Sequence, residues 1–209
     1  MAELLRDPAK MAKAREEAEE VLGNVGLAQE SDILKLPYPQ AVVKDTLRLH
    51  PPAPLLIPHE AEADVEMCGF TVPKNAQILV NVWAMGRDSS IWPNPTLFSP
   101  ELRFLEKEID YKGRDFELIP FRAGRRICPG LPLASRMVSF TLASLVHSFH
   151  WKLPAAEMKP EDMDMSEAAP GITLHRAKPL LAIFKGRIGD SSLFENSITS
   201  PKIVEFRSE

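Results

Sequence analysis

The stretch Pro120–Gly130, "PFRAGRRICPG", determines how the rest of this sequence is interpreted. It contains three arginines, two glycines, two prolines and Cys128, one of the two cysteines of the chain. Because glycine and proline interrupt regular structure, the cysteine is expected on an irregular loop. Positive charge beside a thiol favours its thiolate form, which is the form that binds metals. The stretch therefore indicates a thiol with a chemical role.

Cys128 has three ordinary interpretations, namely a buried core residue, a helix cap and a structural zinc ligand. Zinc is disfavoured because no other cysteine or histidine lies at the short spacing that zinc sites use. A core cysteine leaves the neighbouring glycines and arginines unexplained. A thiolate ligand of haem iron explains them, since Gly124 and Gly130 would let the backbone pass close to a flat macrocycle. The helix expected from Leu131 onward would also point its positive end at the sulfur.

The same residues resemble a family signature. The pattern F-x-x-G-x-R-x-C-x-G of the cytochrome P450 family is matched by Phe121, Gly124, Arg126, Cys128 and Gly130. The resemblance extends from about Met1 to Lys185, and the wording of "LPYPQAVVKDTLRLHPPAPLLIPHE" and "RDFELIPF" is similar to the plant subgroup that includes geraniol hydroxylase. That subgroup hydroxylates terpenes, alkaloids and similar small apolar molecules.

The resemblance implies a mainly α fold with small β-sheets. Residues 1–185 would form the C-terminal portion of a cytochrome P450 haem domain, lacking the N-terminal helices and the distal oxygen-binding helix of the family. Residues 186–209 lose apolar periodicity and gain serine, asparagine and charge, so a disordered tail is predicted there.

The resemblance also implies roles for individual residues. Cys128 would be the axial ligand of the iron of haem b, and Arg126 and His59 would contact the haem propionates. Phe121, Gly124 and Gly130 would shape the loop beneath the cofactor. The substrate pocket would be lined by Pro54, Leu55, Leu56, Ile57, Ile172 and Thr173. The chain offers no catalytic group beyond the haem ligand.

A structural network is implied as well, because "KDTLRLHPP" resembles the E-x-x-R helix of the family. Asp45 and Arg48 would form its pair, and Arg103 in "PELRF" would complete it. Three residues depart from the family pattern. Asp45 replaces a longer glutamate and is expected to fall short of a fixed salt bridge. Leu102 is an added residue expected to shift Arg103 by one position, and Arg122 replaces a glycine and is expected to crowd the loop.

The implied activity is insertion of one oxygen atom from O2 into a C–H bond of a small apolar plant metabolite. NADPH would supply electrons through NADPH-cytochrome P450 reductase docked on the proximal face. The alternative is a truncated haem-binding or inactive fragment, and this chain alone is expected to be inactive. A small thiol-dependent or metal-binding protein unrelated to haem is a third, disfavoured class.

Composition limits partners and location. The chain of 209 residues has a net charge of -4, so general attraction to nucleic acid is not expected. Two cysteines are typical of a reducing compartment. The family implies the cytosolic face of the endoplasmic reticulum membrane for a full-length member. No signal peptide or anchor is evident, so this chain is expected to be soluble or unstable.

Overall fold

The computed structural model of the chain describes residues 1–23, 28–154, 159–168, 171–187 and 202–206. Helices are the longest elements in these ranges, which confirms the mainly α class with small sheets. The helices are α1 Ala2–Arg6, α2 Pro8–Leu22, α3 Pro37–Leu49, α4 Val82–Met85 and α5 Leu131–Ser148. The strands are β1 His59–Glu60, β2 Val65–Met67, β3 Phe70–Val72, β4 Gln77–Ile78, β5 Phe149–Lys152, β6 Glu167–Ala168, β7 His175–Arg176, β8 Leu180–Gly186 and β9 Lys202–Phe206. Short 3-10 turns cover Glu30–Lys35, Gly124–Arg126 and Pro160–Asp162.

Local signals set the ends of the early helices. The Asp7 side chain accepts hydrogen bonds from the backbone N–H groups of Ala9 and Lys10, at 3.2 and 3.3 Å, and so caps α2. Pro8 occupies the first turn, where its missing N–H costs nothing. Gly23 follows the last turn with a φ of 73°, which glycine adopts without strain. None of the helices among the described residues has the length and apolar character needed to cross a membrane.

The main core lies where α2, α3 and α5 meet the sheet of β5 and β8. The C-terminal half of α5 contributes Leu142 and Val146 to this core. Its N-terminal half is apolar as well, but several of its side chains are not buried. Leu133 is 67% exposed, and Met137 and Val138 are also exposed. The described residues contain nothing that covers this half of the face.

The largest sheet has the order β5-β8-β9, with both pairings antiparallel. Trp151 on β5 pairs with Phe184 on β8, and the Phe206 ring on β9 lies 5.9 Å from the Trp151 ring. The sequence predicted a disordered tail over 186–209, whereas Lys202–Phe206 form a strand whose backbone pairs with β8 while most of its side chains stay exposed. Residues 188–201 and 207–209 lie outside the described part of the chain.

Asp45 and Arg48 on α3 form a buried ion pair with exposed fractions of 0% and 1%. Arg48 Nε donates to Asp45 Oδ1 at 2.6 Å, and the Ser99 N–H donates to Asp45 Oδ2 at 2.6 Å. The expectation that Asp45 is too short is wrong, since both carboxylate oxygens are engaged. The rest of the Arg48 guanidinium donates to the backbone carbonyls of Gly86, Pro95 and Leu97. Burial raises the pKa of the Asp45 carboxyl, and the positive charge of Arg48 opposes this shift.

The added residue Leu102 is absorbed by the backbone. Glu101–Leu105 form a single π-helical turn, which holds one more residue per hydrogen-bonded turn than an α-helix. Leu102 points to solvent, and Arg103 Nη1 remains 3.6 Å from Asp45 Oδ2. Arg103 also donates to the carbonyls of Pro93 and Asn94, each at 2.8 Å. The expected displacement of Arg103 out of the network is therefore wrong.

We predict that Asp45→Asn lowers the free energy of unfolding by about 3–5 kcal/mol, because it leaves two buried guanidinium groups without an anion. Asp45→Glu should lower it by about 1–3 kcal/mol, because the extra methylene overpacks a site that is already filled. Urea unfolding followed by circular dichroism measures both. Lys35→Met is the control, since it removes an ion pair of the same i,i+3 spacing that is exposed. A more stable Asp45→Glu variant would mean that the aspartate does not satisfy its partners.

Candidate functional site

The loop before α5 holds Cys128 through backbone hydrogen bonds. The Cys128 N–H donates to the Phe121 carbonyl oxygen at 2.9 Å, and the Leu131 N–H donates to the Cys128 carbonyl oxygen at 3.2 Å. Gly124 lies between them with a φ of +65°, a conformation that favours glycine. A Cβ atom on Gly130 would lie 3.7 Å from the Cys128 sulfur, so the glycine leaves that side of the thiol open. The half-buried thiol lies three residues before α5 begins.

Residues that no sequence motif identifies pack against the cysteine loop. The Phe121 ring packs 5.8 Å from the Tyr111 ring, and the Tyr111 hydroxyl is 2.7 Å from Ser135 Oγ on α5. Gly113 adopts a φ of +84°, and a Cβ atom there would lie 2.9 Å from Ile127 Cδ1. These contacts fix the loop against α5. No local sequence pattern marks Tyr111 and Gly113, because their partners lie in other segments of the chain.

The predicted propionate ligands have free polar groups. Arg126 lies on the exposed 3-10 turn of the loop, and its guanidinium makes no ion pair or hydrogen bond within the described ranges. His59 is half-buried on β1, where its backbone pairs with Ile78. The His59 ring makes no hydrogen bond to any described residue. Both side chains are therefore available to an anionic ligand, and their role as propionate contacts stays a prediction.

Arg122 was expected to crowd the cysteine loop, but its side chain points away from the loop. Its backbone adopts a φ of +68°, which costs a residue with a side chain on the order of 1–3 kcal/mol. The side chain leaves the loop, and Arg122 Nη2 donates to the backbone carbonyl oxygen of Ile57. Arg122 Nε is buried and has no hydrogen-bond partner among the described residues. Arg122 thus joins the cysteine loop to the segment predicted to line the substrate pocket.

The structure brings the two predicted substrate segments together. The Leu174 N–H donates to the Pro52 carbonyl oxygen at 2.8 Å, so the chain just after Thr173 meets the chain just before Pro54. Leu55, Ile57 and Ile172 are exposed apolar side chains, and Thr173 and the half-buried Pro54 adjoin them. Leu56 instead turns into the interior with a φ of 51°. Pro170, at the start of the second predicted pocket segment, lies outside the described residues.

A charged cluster anchors these segments to α1. His50, at the end of α3, lies 2.8 Å from a Glu3 oxygen and 2.5 Å from a Glu167 oxygen. Glu167 also accepts from Trp83 Nε1 at 2.8 Å and lies 3.4 Å from the Arg87 guanidinium. Burial acts to lower the pKa of His50, but hydrogen bonds to the two carboxylates outweigh it and raise that pKa. For Glu167, burial acts to raise the pKa, but the hydrogen bonds from Trp83 and His50 lower it.

This cluster predicts a pH dependence of stability. Because the folded-state pKa of His50 is raised, its contribution is fully present below the unfolded value of about 6.5 and is lost as pH rises through the folded value. We expect urea unfolding midpoints to fall over that range in the unmodified chain and to fall less in His50→Gln. Glu167→Gln should move part of the decline to lower pH, because one of the two carboxylates is removed. An unchanged profile in His50→Gln would contradict the role of this histidine.

Cys128 would be a single protein ligand to a metal. The described ranges contain no group of three or more His, Cys, Asp or Glu side chains that could hold an ion between them. Haem would suit a single protein thiolate, because the macrocycle itself supplies most of the ligands of the iron. The open sulfur, the free Arg126 and the unpartnered Arg122 Nε all fit such a group. Cys68 lies exposed in the β2–β3 turn and has no comparable surroundings.

Comparisons with known proteins agree with this geometry. The cytochrome P450 family profile matches residues 1–182. Cytochrome P450 76C4 of Arabidopsis thaliana is 62% identical over 183 residues, which cover 88% of this chain and 35% of that protein. Geraniol 8-hydroxylase of Swertia mussotii is 55% identical over 183 residues, covering 88% of this chain and 36% of that protein. A zebrafish cytochrome P450 structure with progesterone aligns over 84% of this chain and 38% of that one, with a TM-score of 0.71 and 32% identity.

Proposed function

Since the chain belongs to the cytochrome P450 family and resembles its geraniol hydroxylase subgroup, we propose that it carries the thiolate-bearing half of a haem monooxygenase site. Residues 1–185 would be the C-terminal portion of the haem domain. The observation that supports this most directly is the position of Cys128. Its half-buried side chain lies just before α5, on a loop closed by the hydrogen bond from the Cys128 N–H to the Phe121 carbonyl oxygen.

Haem b is the proposed cofactor, and when bound it would supply the activation of O2 for insertion of one oxygen atom into a C–H bond. The Cys128 thiolate would hold the iron and donate electron density to it. The positive end of α5 would stabilise the thiolate over the thiol. Arg126 and His59 would bind the haem carboxylates, with a guanidinium giving the stronger, charge-assisted hydrogen bond.

The proposed substrate is a small apolar plant metabolite of the terpenoid or alkaloid type. Two curated relatives are named geraniol 8-hydroxylase, and geraniol is a terpenoid alcohol. The exposed side chains of Leu55, Ile57 and Ile172 would offer apolar contacts to such a molecule and exclude water from it. The hydrogen bond from Leu174 to Pro52 would hold these two segments in register.

Electrons would come from NADPH through NADPH-cytochrome P450 reductase, docked on the proximal face that carries the cysteine loop. The corresponding location is the cytosolic face of the endoplasmic reticulum membrane. The reductase partner and the membrane location are proposed from family membership. The chain itself spans 35–36% of the length of these curated relatives.

A second candidate function is haem binding without oxidation by this chain alone. It is favoured by the candidate pocket segments, where Leu55, Ile57 and Ile172 remain exposed. Oxygen chemistry needs a site from which bulk water is excluded, and pocket side chains exposed to solvent do not provide one.

The test begins with reconstitution of the chain with hemin, followed by reduction and exposure to carbon monoxide. We expect the red-shifted Soret band of a thiolate-ligated haem in the difference spectrum. Cys128→Ser should abolish this band because the thiolate is lost. Cys68→Ser is the matched control and should retain it. Loss of the band in Cys68→Ser alone, or its persistence in Cys128→Ser, would rule out the proposed ligand.

Turnover separates the two candidate functions. The reconstituted chain is mixed with reductase, NADPH and geraniol, and hydroxylated product is compared with a control of free hemin. Product above that control, dependent on Cys128, supports the monooxygenase. A thiolate spectrum without product supports haem binding alone, which is what we expect of this chain.

A further inference from the structure

Arg122 holds an unfavourable conformation that its observed contacts only partly explain. Its φ of +68° is strained for a residue with a Cβ atom and would suit glycine better. Its guanidinium gives one hydrogen bond, to the carbonyl oxygen of Ile57. A backbone strain of this kind persists where the surrounding structure compensates for it, and such positions concentrate at ligand sites.

The charge of Arg122 is also unbalanced. No described carboxylate forms an ion pair with it, and its Nε–H is buried without an acceptor. Burying a cationic donor without a partner costs free energy unless an anion or acceptor is supplied. A carboxylate that approaches the free edge of the guanidinium would meet this need with charge-assisted hydrogen bonds.

The position of Arg122 identifies which carboxylate this would be. Its contact to Ile57 places the guanidinium beside the segment that leads, two residues later, to His59. Arg122 itself precedes Arg126 by four residues on the cysteine loop. It therefore bridges the two segments that carry the proposed propionate ligands. Neither segment offers an acidic side chain that pairs with it.

We propose that Arg122 binds a haem propionate and thereby adds a cationic contact to those of Arg126 and His59. This inference rests on the proposed haem site. Arg122 Nη1, which has no hydrogen-bond partner among the described residues, would donate to the carboxylate, while Arg122 Nη2 keeps its bond to Ile57. The added contact offsets the strain that the left-handed backbone imposes, and it links cofactor retention to the position of the substrate segment.

The experiment compares two cofactors that differ only at the carboxylates. The chain is titrated with hemin and with hemin dimethyl ester, in which both propionates are blocked, and binding is followed by Soret absorbance and by haem transfer to a competing apoprotein. Arg122→Gln should weaken hemin binding by about ten- to one-hundredfold, the effect of one lost hydrogen bond to a charged group. Binding of the ester should not change.

Two further variants define the result. Arg125→Gln is the matched control, because Arg125 is an exposed arginine of the same loop without an assigned contact, and it should bind both cofactors like the unmodified chain. Arg122→Lys should keep most of the preference for hemin over the ester, since the charge remains. It also provides the comparison if Arg122→Gln fails to fold by circular dichroism.

Each alternative outcome is distinct. If Arg122→Gln weakens binding of hemin and of the ester equally, Arg122 only joins the cysteine loop to Ile57 and the proposal is wrong. Unchanged or tighter hemin binding in that variant would also overturn the assignment. If the unmodified chain binds neither cofactor, the proposed function fails together with it. If it binds hemin with a spectrum that depends on Cys128, the proposed function stands whatever Arg122 does.

Discussion

The burial of Asp45, Arg48 and Arg103 is the constraint on which the rest of the structure depends. Removing three charges from water costs free energy unless their donors and acceptors find partners. Among the described residues, only Arg103 Nε of this network is buried without one. Arg48 meets this condition by collecting backbone carbonyls from Gly86, Pro95 and Leu97, which belong to segments with little secondary structure of their own. A Cβ atom on Gly86 would lie 2.2 Å from the Arg48 carbonyl oxygen, so close packing is required as well. The network thus fixes an irregular region against α3.

The residues that follow α3 connect this network to the candidate functional site. The chain leaves the helix at His50, which Glu3 and Glu167 hold from two sides, and continues into residues 52–57. Those residues accept hydrogen bonds from Leu174 and from Arg122 of the cysteine loop. The candidate pocket segments and the candidate metal ligand are therefore connected by polar contacts rather than by a shared core. Such contacts can be altered singly by mutation while the main core remains intact.

The π-helical turn at Glu101–Leu105 explains how the network tolerates an added residue. An insertion in a helix would normally rotate every later side chain by about 100°. A π turn confines that change to one turn, with Leu102 directed to solvent and Arg103 returned to Asp45. The shorter side chain of Asp45 is accommodated differently, because Arg48 and the Ser99 backbone approach it closely. The departures from the family pattern therefore change local geometry while the ion pairs persist.

The sequence by itself determined the features that depend on residues close together in the chain. Asp7, Pro8 and Gly23 are local signals that set the ends of α2, and the residues around Cys128 predicted an irregular loop followed by a helix. The tertiary structure alone decided the contact of Arg122 with Ile57, 65 residues away, the support of Phe121 by Tyr111, and the strand formed by Lys202–Phe206. It also decided which half of α5 is buried. Capping and turn preferences are set by neighbouring residues, whereas these contacts depend on how distant segments pack, and a single sequence carries no local signal for that packing.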